Sequence, residues 1–201
     1  MTPRSISSRD NPLLQRVRKL VADPGAYRKL GVVWLEGEHL AAAYTAAGGR
    51  ALQAVVSESA WMQPATAAAV EGAAELGVVP DRLFADLSTL PSPAGLGLLV
   101  ALPEHATIDV AEATVVLDRV QDAGNVGSIL RTAAAMGLRQ VVALQGTAGL
   151  WSPKVLRAGM GAHFGLNLVE GVEADALAAL TVPMLATSSH AGRALHEVEL
   201  P

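Results

Sequence analysis

Residues 115–144 constrain the fold of this chain more than any other segment. The apolar run 115–117 is typical of a short buried strand, and a polar turn that holds Asp118, Asp122, Gly124, Asn125 and Gly127 follows it. Apolar residues at helical spacing then cover 128–136, Gly137 provides a C-terminal stop, and a second apolar strand covers 141–144. This order predicts a parallel crossover whose turn lies at the carboxyl edge of a sheet, where ligand sites form. A purely structural crossover explains the spacing equally well.

Strands and helices alternate along the rest of the chain, which predicts an α/β protein. The predicted strands are 32–35, 52–57, 96–102, 115–117, 141–144, 164–169 and 184–187. The first predicted helix begins near Asn11-Pro12. The others are 38–47, 64–76 with Gly77 as its stop, a short helix that Asp86 caps and that ends at Leu90, 128–136, 153–160 and 173–180. The polar stretch 103–112 predicts a boundary between a domain at 1–103 and a domain at 113–201.

The composition excludes several classes of protein. The chain is 51% hydrophobic and 17% charged, which is typical of a globular protein. No apolar run reaches the ~18 residues that a transmembrane helix needs, so we predict no membrane span. The chain has no cysteine, which rules out disulfides and thiolate chemistry, and its five histidines lack metal-ligand spacing. We therefore predict no bound metal.

Positive charge is concentrated at the N-terminus of a chain whose net charge is −4. The first 30 residues hold seven basic and two acidic side chains, a balance of +5. Such a basic arm is a candidate phosphate-binding surface, although a solvated helix face explains it equally well. A transit peptide has a similar composition, but the apolar stripe of this arm indicates a structural helix, and we predict a cytoplasmic protein. The candidate RNA contacts in the arm are Arg4, Arg9, Arg16, Arg18 and Lys19.

Two ordered motifs, about twenty residues apart, resemble those of a known family. The first is Asn125-Val126-Gly127-Ser128-Ile129-Leu130-Arg131, and the second is Ser152-Pro153-Lys154-Val155-Leu156-Arg157-Ala158-Gly159-Met160-Gly161-Ala162. Both are similar to motifs of the SpoU–TrmH branch of the SPOUT RNA methyltransferases, which usually have serine where this chain has Gly159. The N-terminal matches to that family are Ile6-Ser7-Ser8, Asn11-Pro12, Leu35-Glu36-Gly37 and Ser92-Pro93-Ala94-Gly95.

The resemblance implies a small α/β RNA-binding domain followed by a parallel-sheet, knotted α/β methyltransferase domain. It implies transfer of a methyl group from S-adenosylmethionine to a ribose 2′-hydroxyl of RNA, with ribosomal RNA favoured over tRNA, and a homodimer. Family members continue with a third motif that completes the cofactor pocket, and nothing in this sequence matches it. We therefore expect the second domain to be C-terminally incomplete and the 201-residue chain to show no normal cofactor binding.

The resemblance assigns roles to individual residues. Arg131 is the residue that activates the hydroxyl, and phosphate clamping with charge stabilisation suits its guanidinium better than base catalysis. Asn125 contacts RNA or holds Arg131, although capping of the following helix explains it as well. Lys154 and Arg157 favour an anionic partner, or are solvated surface charges. The candidate cofactor contacts are Gly161, Thr187 and Ser188.

Two other functions remain as alternatives. A non-catalytic RNA-binding module would fit the absence of a third motif. A dinucleotide-dependent oxidoreductase is disfavoured, because Gly124-Asn125-Val126-Gly127 is not G-x-G-x-x-G and no acidic residue follows about 20 positions later at a strand end.

Overall fold

A computed structural model describes residues 2–104, 106–187 and 197. Its first unit is built on a mixed sheet with strand order β1-β4-β3-β5-β2. The strands are β1 (Arg4–Ser5), β2 (Val32–Glu36), β3 (Gln53–Ser57), β4 (Glu75–Val79) and β5 (Leu96–Ala101). Strand β4 pairs parallel with β1 and β3, whereas β5 pairs antiparallel with β2 and β3.

Helices pack around this sheet. They are α1 (Pro12–Ala22), α2 (Ala26–Leu30), α3 (Glu38–Ala46), α4 (Glu58–Trp61), α5 (Pro64–Ala69) and α6 (Asp81–Ala85). The predicted start of α1 is confirmed: Asn11 Oδ1 accepts a hydrogen bond from Leu13 N at 2.9 Å, and Pro12 is the first helical residue. The apolar stripe of α1 is buried, which leaves Arg16 and Lys19 exposed.

The second unit contains a parallel sheet with strand order β6-β7-β8. Its elements are β6 (Thr114–Leu117), α7 (Ala123–Ala135), β7 (Gln140–Leu144), α8 (Pro153–Gly159), a 3-10 helix (Ala162–Gly165), β8 (Asn167–Val172) and a second 3-10 helix (Ala174–Ala179). Strands β6 and β7 are joined through α7, and β7 and β8 through α8, so the carboxyl ends of all three lie at one edge. The predicted parallel crossover is confirmed. The family's knot involves a later segment and stays a prediction.

The predicted helix 64–76 is wrong in its second half. Helix α5 ends at Ala69, and Gly72 has a left-handed backbone with φ +89° that breaks the alanine-rich run. The residues that follow form β4, which β1 and β3 flank on its two sides. Gly77 lies inside this strand and is therefore not a helix stop. Ile6 Cδ1 lies 2.6 Å from the position that a β-carbon on Gly77 would take, so packing explains the glycine. Sheet pairing overrides the local helix propensity of alanine.

Other predicted elements also differ from the structure. Asp86 follows the last residue of α6 and does not begin a helix, because the helix starts five residues earlier, at Asp81. Residues 173–180 contain a 3-10 helix with no fully buried residue, and Leu177 is partly buried against Val142, Leu144 and Val169. The strand expected at 184–187 is irregular and exposed; Met184 and Leu185 are 60% and 56% exposed, with no strand paired to them.

One apolar core extends through both units. It includes Leu35 and Leu99 of the first sheet and Leu117, Leu130 and Val155 of the second unit. Residues 102–113 connect the two sheets, and the division into domains 1–103 and 113–201 stays a prediction. Among the described residues, every helix is too short or too polar to cross a bilayer.

Candidate functional site

Asp122 caps the helix that carries the first motif. Helix α7 begins at Ala123, and Asp122 Oδ1 accepts a hydrogen bond from Asn125 N at 2.7 Å. Capping, the alternative role considered for Asn125, is ruled out, because the helix begins at Ala123 and the Asp122 carboxylate is its cap. Asn125 instead lies within that turn. Its side chain is exposed and makes no hydrogen bond to any residue that the structure describes.

Gly127 brings the two motifs into contact. It is buried in α7 against α8, and a β-carbon at this position would lie 2.3 Å from Ala158 Cβ and 2.7 Å from Gly159 N. Non-bonded carbon and nitrogen atoms do not approach each other so closely. Only glycine therefore permits this packing of the two helices. The glycine of the first motif therefore contacts the backbone of the second motif directly.

Arg131 is exposed one turn after Gly127 on the same helix. The buried side chains of α7, such as Val126 and Leu130, face the core, and Arg131 points away from them. Within residues 2–104 and 106–187 its guanidinium has neither an ion pair nor a hydrogen bond. A guanidinium carries a permanent charge and five N–H donors, so Arg131 is available to an anion.

Two more cations lie on α8. Ser152 and Pro153 occupy the N-cap and first helical positions as predicted, although the Ser152 side chain is buried and makes no capping hydrogen bond. Lys154 is exposed and Arg157 half-buried, and neither pairs with an acid in the described part of the chain. Together with Arg131, they place three unpaired cations on two helices in direct contact.

The three predicted cofactor contacts have different surroundings. Gly161 has φ +89°, and a β-carbon on it would lie 2.5 Å from Ala43 Cβ of α3. Contact with the first unit thus accounts for the absence of a side chain at this position. Thr187 is exposed, with a hydroxyl that no described residue engages, and so fits a contact to a polar ligand. Ser188 lies outside the described residues.

The cations of the N-terminal arm divide into two groups. Arg9 Nε pairs with Asp86 Oδ2 at 3.2 Å, and the Arg18 guanidinium donates to the Arg9 carbonyl oxygen. Arg4 on β1, together with Arg16 and Lys19 on α1, is exposed and has no side-chain partner among the residues described. Of the five predicted contacts in the arm, three are therefore free to bind phosphate and two also stabilise the fold.

The side chains that join the two units have no signal in the sequence. Glu170 of β8 accepts hydrogen bonds from Tyr27 OH at 2.7 Å, Arg28 Nη2 at 3.0 Å and Leu150 N at 2.6 Å. Burial, with a further effect of the Glu170 carboxylate, raises the pKa of Tyr27 far above its usual value, so the phenol keeps its proton and donates. These partners are 143, 142 and 20 residues away from Glu170, beyond the reach of any local pattern.

His163 is a buried, neutral side chain in the second unit. Its Nε2 donates to the Leu150 carbonyl oxygen at 2.9 Å, and its ring is 5.3 Å from that of Trp151. Burial lowers the pKa of His163 to about 4. This imidazole supports the loop before α8 and does not provide a charge.

A cavity of about 700 Å³ lies between the two units, away from the motif cations. Its walls include Tyr44, Trp151, Phe164, Glu104 and Glu170, and none of the predicted site residues lines it. With two carboxylates and only Arg28 as a cation, this cavity is a poor match for a phosphate. The motif helices remain the better candidate for an RNA site.

Residues 112–201 match the family model described as the SpoU rRNA methylase family. This part of the chain is similar to the members of that family. The match begins just before β6 and includes every motif residue of α7 and α8. Among the described residues, no group of three or more His, Cys, Asp or Glu side chains could hold a metal ion.

Curated and solved relatives extend the likeness to the first unit. The chain is 29% identical over 168 residues to the human mitochondrial rRNA methyltransferase 3, covering 80% of this chain and 40% of that protein. It is 28% identical over 141 residues to the 23S rRNA (guanosine(2553)-2′-O)-methyltransferase of Bacillus subtilis, covering 70% and 55%. A crystal structure of an RNA 2′-O ribose methyltransferase superposes with a TM-score of 0.72 at 26% identity, covering 94% of this chain and 74% of the other. The chain thus spans about half the length of these two curated relatives.

Proposed function

We propose that the protein transfers a methyl group from S-adenosylmethionine to a ribose 2′-hydroxyl of RNA, with ribosomal RNA as the substrate. The observation that carries this proposal is the contact of Gly127 with Ala158 and Gly159, which places the unpaired Arg131 beside the cationic helix α8. The match to the SpoU family and the rRNA methyltransferases among its relatives support the reaction and the substrate.

The cofactor would supply an electrophilic methyl group on its sulfonium. The protein has to align the ribose and stabilise the charge that develops on its 2′-oxygen. Arg131 does this through a guanidinium that clamps the adjacent phosphate, while Asn125, in the first turn of the same helix, orients the RNA. Lys154 and Arg157 hold the RNA backbone. Among the described residues, Thr187 contacts the cofactor through its hydroxyl and Gly161 through its backbone, because Ala43 occupies the side-chain position of Gly161.

The assembly and location follow as part of the same proposal. Arg4, Arg16 and Lys19 bind RNA phosphates remote from the reacting ribose. The protein works as a homodimer in the cytoplasm, needs neither a metal nor a membrane, and carries its RNA-binding and methyltransferase functions in domains 1–103 and 113–201. A human relative is named mitochondrial, which makes location a property to measure by fractionation.

Methyl transfer from radiolabelled S-adenosylmethionine tests the function. Ribosomal RNA and tRNA are offered separately, and the label is mapped by resistance of the modified position to alkaline hydrolysis. Arg131→Ala should lower the rate about a hundredfold or more, a typical effect of removing one group that stabilises transition-state charge. Arg139→Ala is the matched control, because Arg139 is exposed, lies at the amino end of β7 and has no partner among the described residues.

Each alternative predicts a different result. Labelling of tRNA alone would make the protein a tRNA methyltransferase. RNA binding without cofactor binding in calorimetry would identify a non-catalytic RNA-binding module. Wild-type-like transfer by Arg131→Ala would remove that residue from the mechanism.

A further inference from the structure

Tyr27 and Arg28 of the first unit sit against the loop that leads into α8. A β-carbon on Gly149 would lie 2.6 Å from Tyr27 OH and 3.2 Å from Arg28 Nη2, so the loop backbone approaches both side chains closely. The next residue, Leu150, donates its N–H to Glu170, which also accepts from Tyr27 and Arg28. Tyr27 and Arg28 of the first unit, the loop residues Gly149 and Leu150, and Glu170 of β8 together form one junction between the units.

The junction is connected to both groups of free cations. On the side of the first unit, Tyr27 and Arg28 lie on α2, which follows α1 after a tight turn in which Ala26 N donates to the Asp23 carbonyl oxygen at 3.0 Å. On the side of the second unit, the Leu150 carbonyl oxygen accepts from His163, and Ser152, the N-cap residue of α8, follows two residues later. A displacement of this junction would therefore change the separation between the cations of α1 and those of α8.

We infer that Glu170 is a positioning residue that fixes the two cationic surfaces at the separation required by one RNA molecule. This inference rests on the proposed function. The Glu170 side chain is 16% exposed, so its part-buried hydrogen bonds with Tyr27 and Leu150 are screened less by solvent and salt than its contact with the half-exposed Arg28. Two surfaces held at a fixed separation bind one ligand more tightly than two that move independently, because the second contact costs less ordering entropy.

Distance measurements between spin labels test the junction directly. The chain has no cysteine, so Gln15→Cys on α1 and Ala135→Cys on α7, both exposed positions, give a clean labelled pair. Glu170→Ala should broaden the distance distribution, and Glu170→Gln should broaden it less, because the amide oxygen can still accept from Leu150 N.

Kinetics give a second measurement on the same variants. The KM for RNA should rise about tenfold for Glu170→Ala, equivalent to roughly 1.4 kcal/mol, and by a smaller factor for Glu170→Gln. The KM for S-adenosylmethionine should not change.

A second pair of variants avoids the risk that Glu170→Ala leaves Leu150 N–H unsatisfied and disturbs folding. Gly149→Ala should displace Tyr27 and raise the RNA KM, whereas Tyr27→Phe combined with Gly149→Ala should lose part of that effect, since the nearest clashing atom is gone. Gly165→Ala is the matched control: a β-carbon there has no neighbour within 4 Å.

Unchanged label distances in both Glu170→Ala and Gly149→Ala would overturn the inference. So would additive effects of Gly149→Ala and Tyr27→Phe, or equal increases in the KM for RNA and for the cofactor. A wild-type protein that binds RNA but does not methylate it would contradict the proposed function only, because label distances and RNA affinity would still report on the junction.

Discussion

At the scale of single residues, burial decides the chemistry of each titratable group near the motifs. His163 is 1% exposed and has a pKa lowered to about 4, while Arg131 is exposed with no described partner. Both residues lie in or beside the motif region, yet only the second has a charge available to a ligand. His163 is thus a structural group, and the exposed Arg131 is the candidate for binding an anionic ligand.

The depressed pKa of His163 predicts a pH dependence of stability. The unfolded histidine, with an ordinary pKa of 6.5, takes up a proton before the folded one, whose pKa is about 4. The free energy of unfolding should therefore be fully maintained above pH 6.5 and fall as pH drops toward 4, by about 2 kcal/mol between pH 7 and pH 5. Urea titrations at several pH values measure this slope.

Two variants separate His163 from other groups that titrate in this range. His163→Gln should flatten the slope, whatever its effect on stability at pH 7. His39→Gln, at an exposed position, should keep the wild-type slope. A slope that survives His163→Gln would assign the pH dependence to other residues.

The sequence and structure agree on residue types more than on local roles. Arg131 and Gly127 are recognisable from their motif spacing, whereas the cap of α7 is Asp122 and not Asn125. Both residues are good N-caps, and the choice between them depends on where the helix starts, which the apolar periodicity alone does not define. Glu170 was not predictable, because its partners are distant in sequence.

At the scale of elements, the contact between α7 and α8 is the one on which the candidate site depends. Gly127→Ala would gain up to about 1 kcal/mol of helix propensity. Overpacking a tight interface usually costs about 1–3 kcal/mol, and the new methyl group would face backbone atoms that cannot rotate away. We expect net destabilisation of about 1–2 kcal/mol and a larger loss of methyl transfer than of global stability.

Thermal unfolding and the methyl-transfer assay check this prediction side by side. Gly165→Ala again serves as the control, with no clash and no change in either measurement. If Gly127→Ala is as stable and as active as the wild type, then the two helices can separate freely and their close packing does not organise the site.

Element prediction succeeded where periodicity and sheet context agree. β7 and α8 are close to their predicted positions because their apolar residues face one continuous core. The sequence does not indicate β4, because an alanine-rich run favours a helix until Gly72 interrupts it and the next residues pair with two strands. Such long-range pairing is invisible in a window of ten residues.

At the scale of the whole molecule, the alternation of strands and helices predicts the α/β architecture, but not how the two units meet. Tyr44 of the first unit packs edge-on against Phe164 of the second, with ring centroids 5.2 Å apart, and Gly161 contacts Ala43. These contacts join residues more than a hundred positions apart, so only the folded chain reveals them. They place the basic arm and the motif helices in one continuous structure.

The charge distribution of that structure leads to a prediction about salt. Arg16 and Lys19 are one turn apart on the exposed side of α1 and have no partner among the described residues. Each phosphate contact releases counterions from RNA, so replacing both residues with Gln should reduce the slope of log affinity against log salt by roughly 0.7 per contact, about 1.4 in total.

The matched control is the double variant Arg50→Gln with Arg139→Gln, which removes the same charge from exposed positions at the amino ends of β3 and β7. Filter binding of rRNA at several salt concentrations gives both slopes. Equal slopes for the two double variants would mean that α1 contributes only to the general field of the protein, whereas a reduced slope for the α1 variant alone would locate the phosphate contacts on this helix.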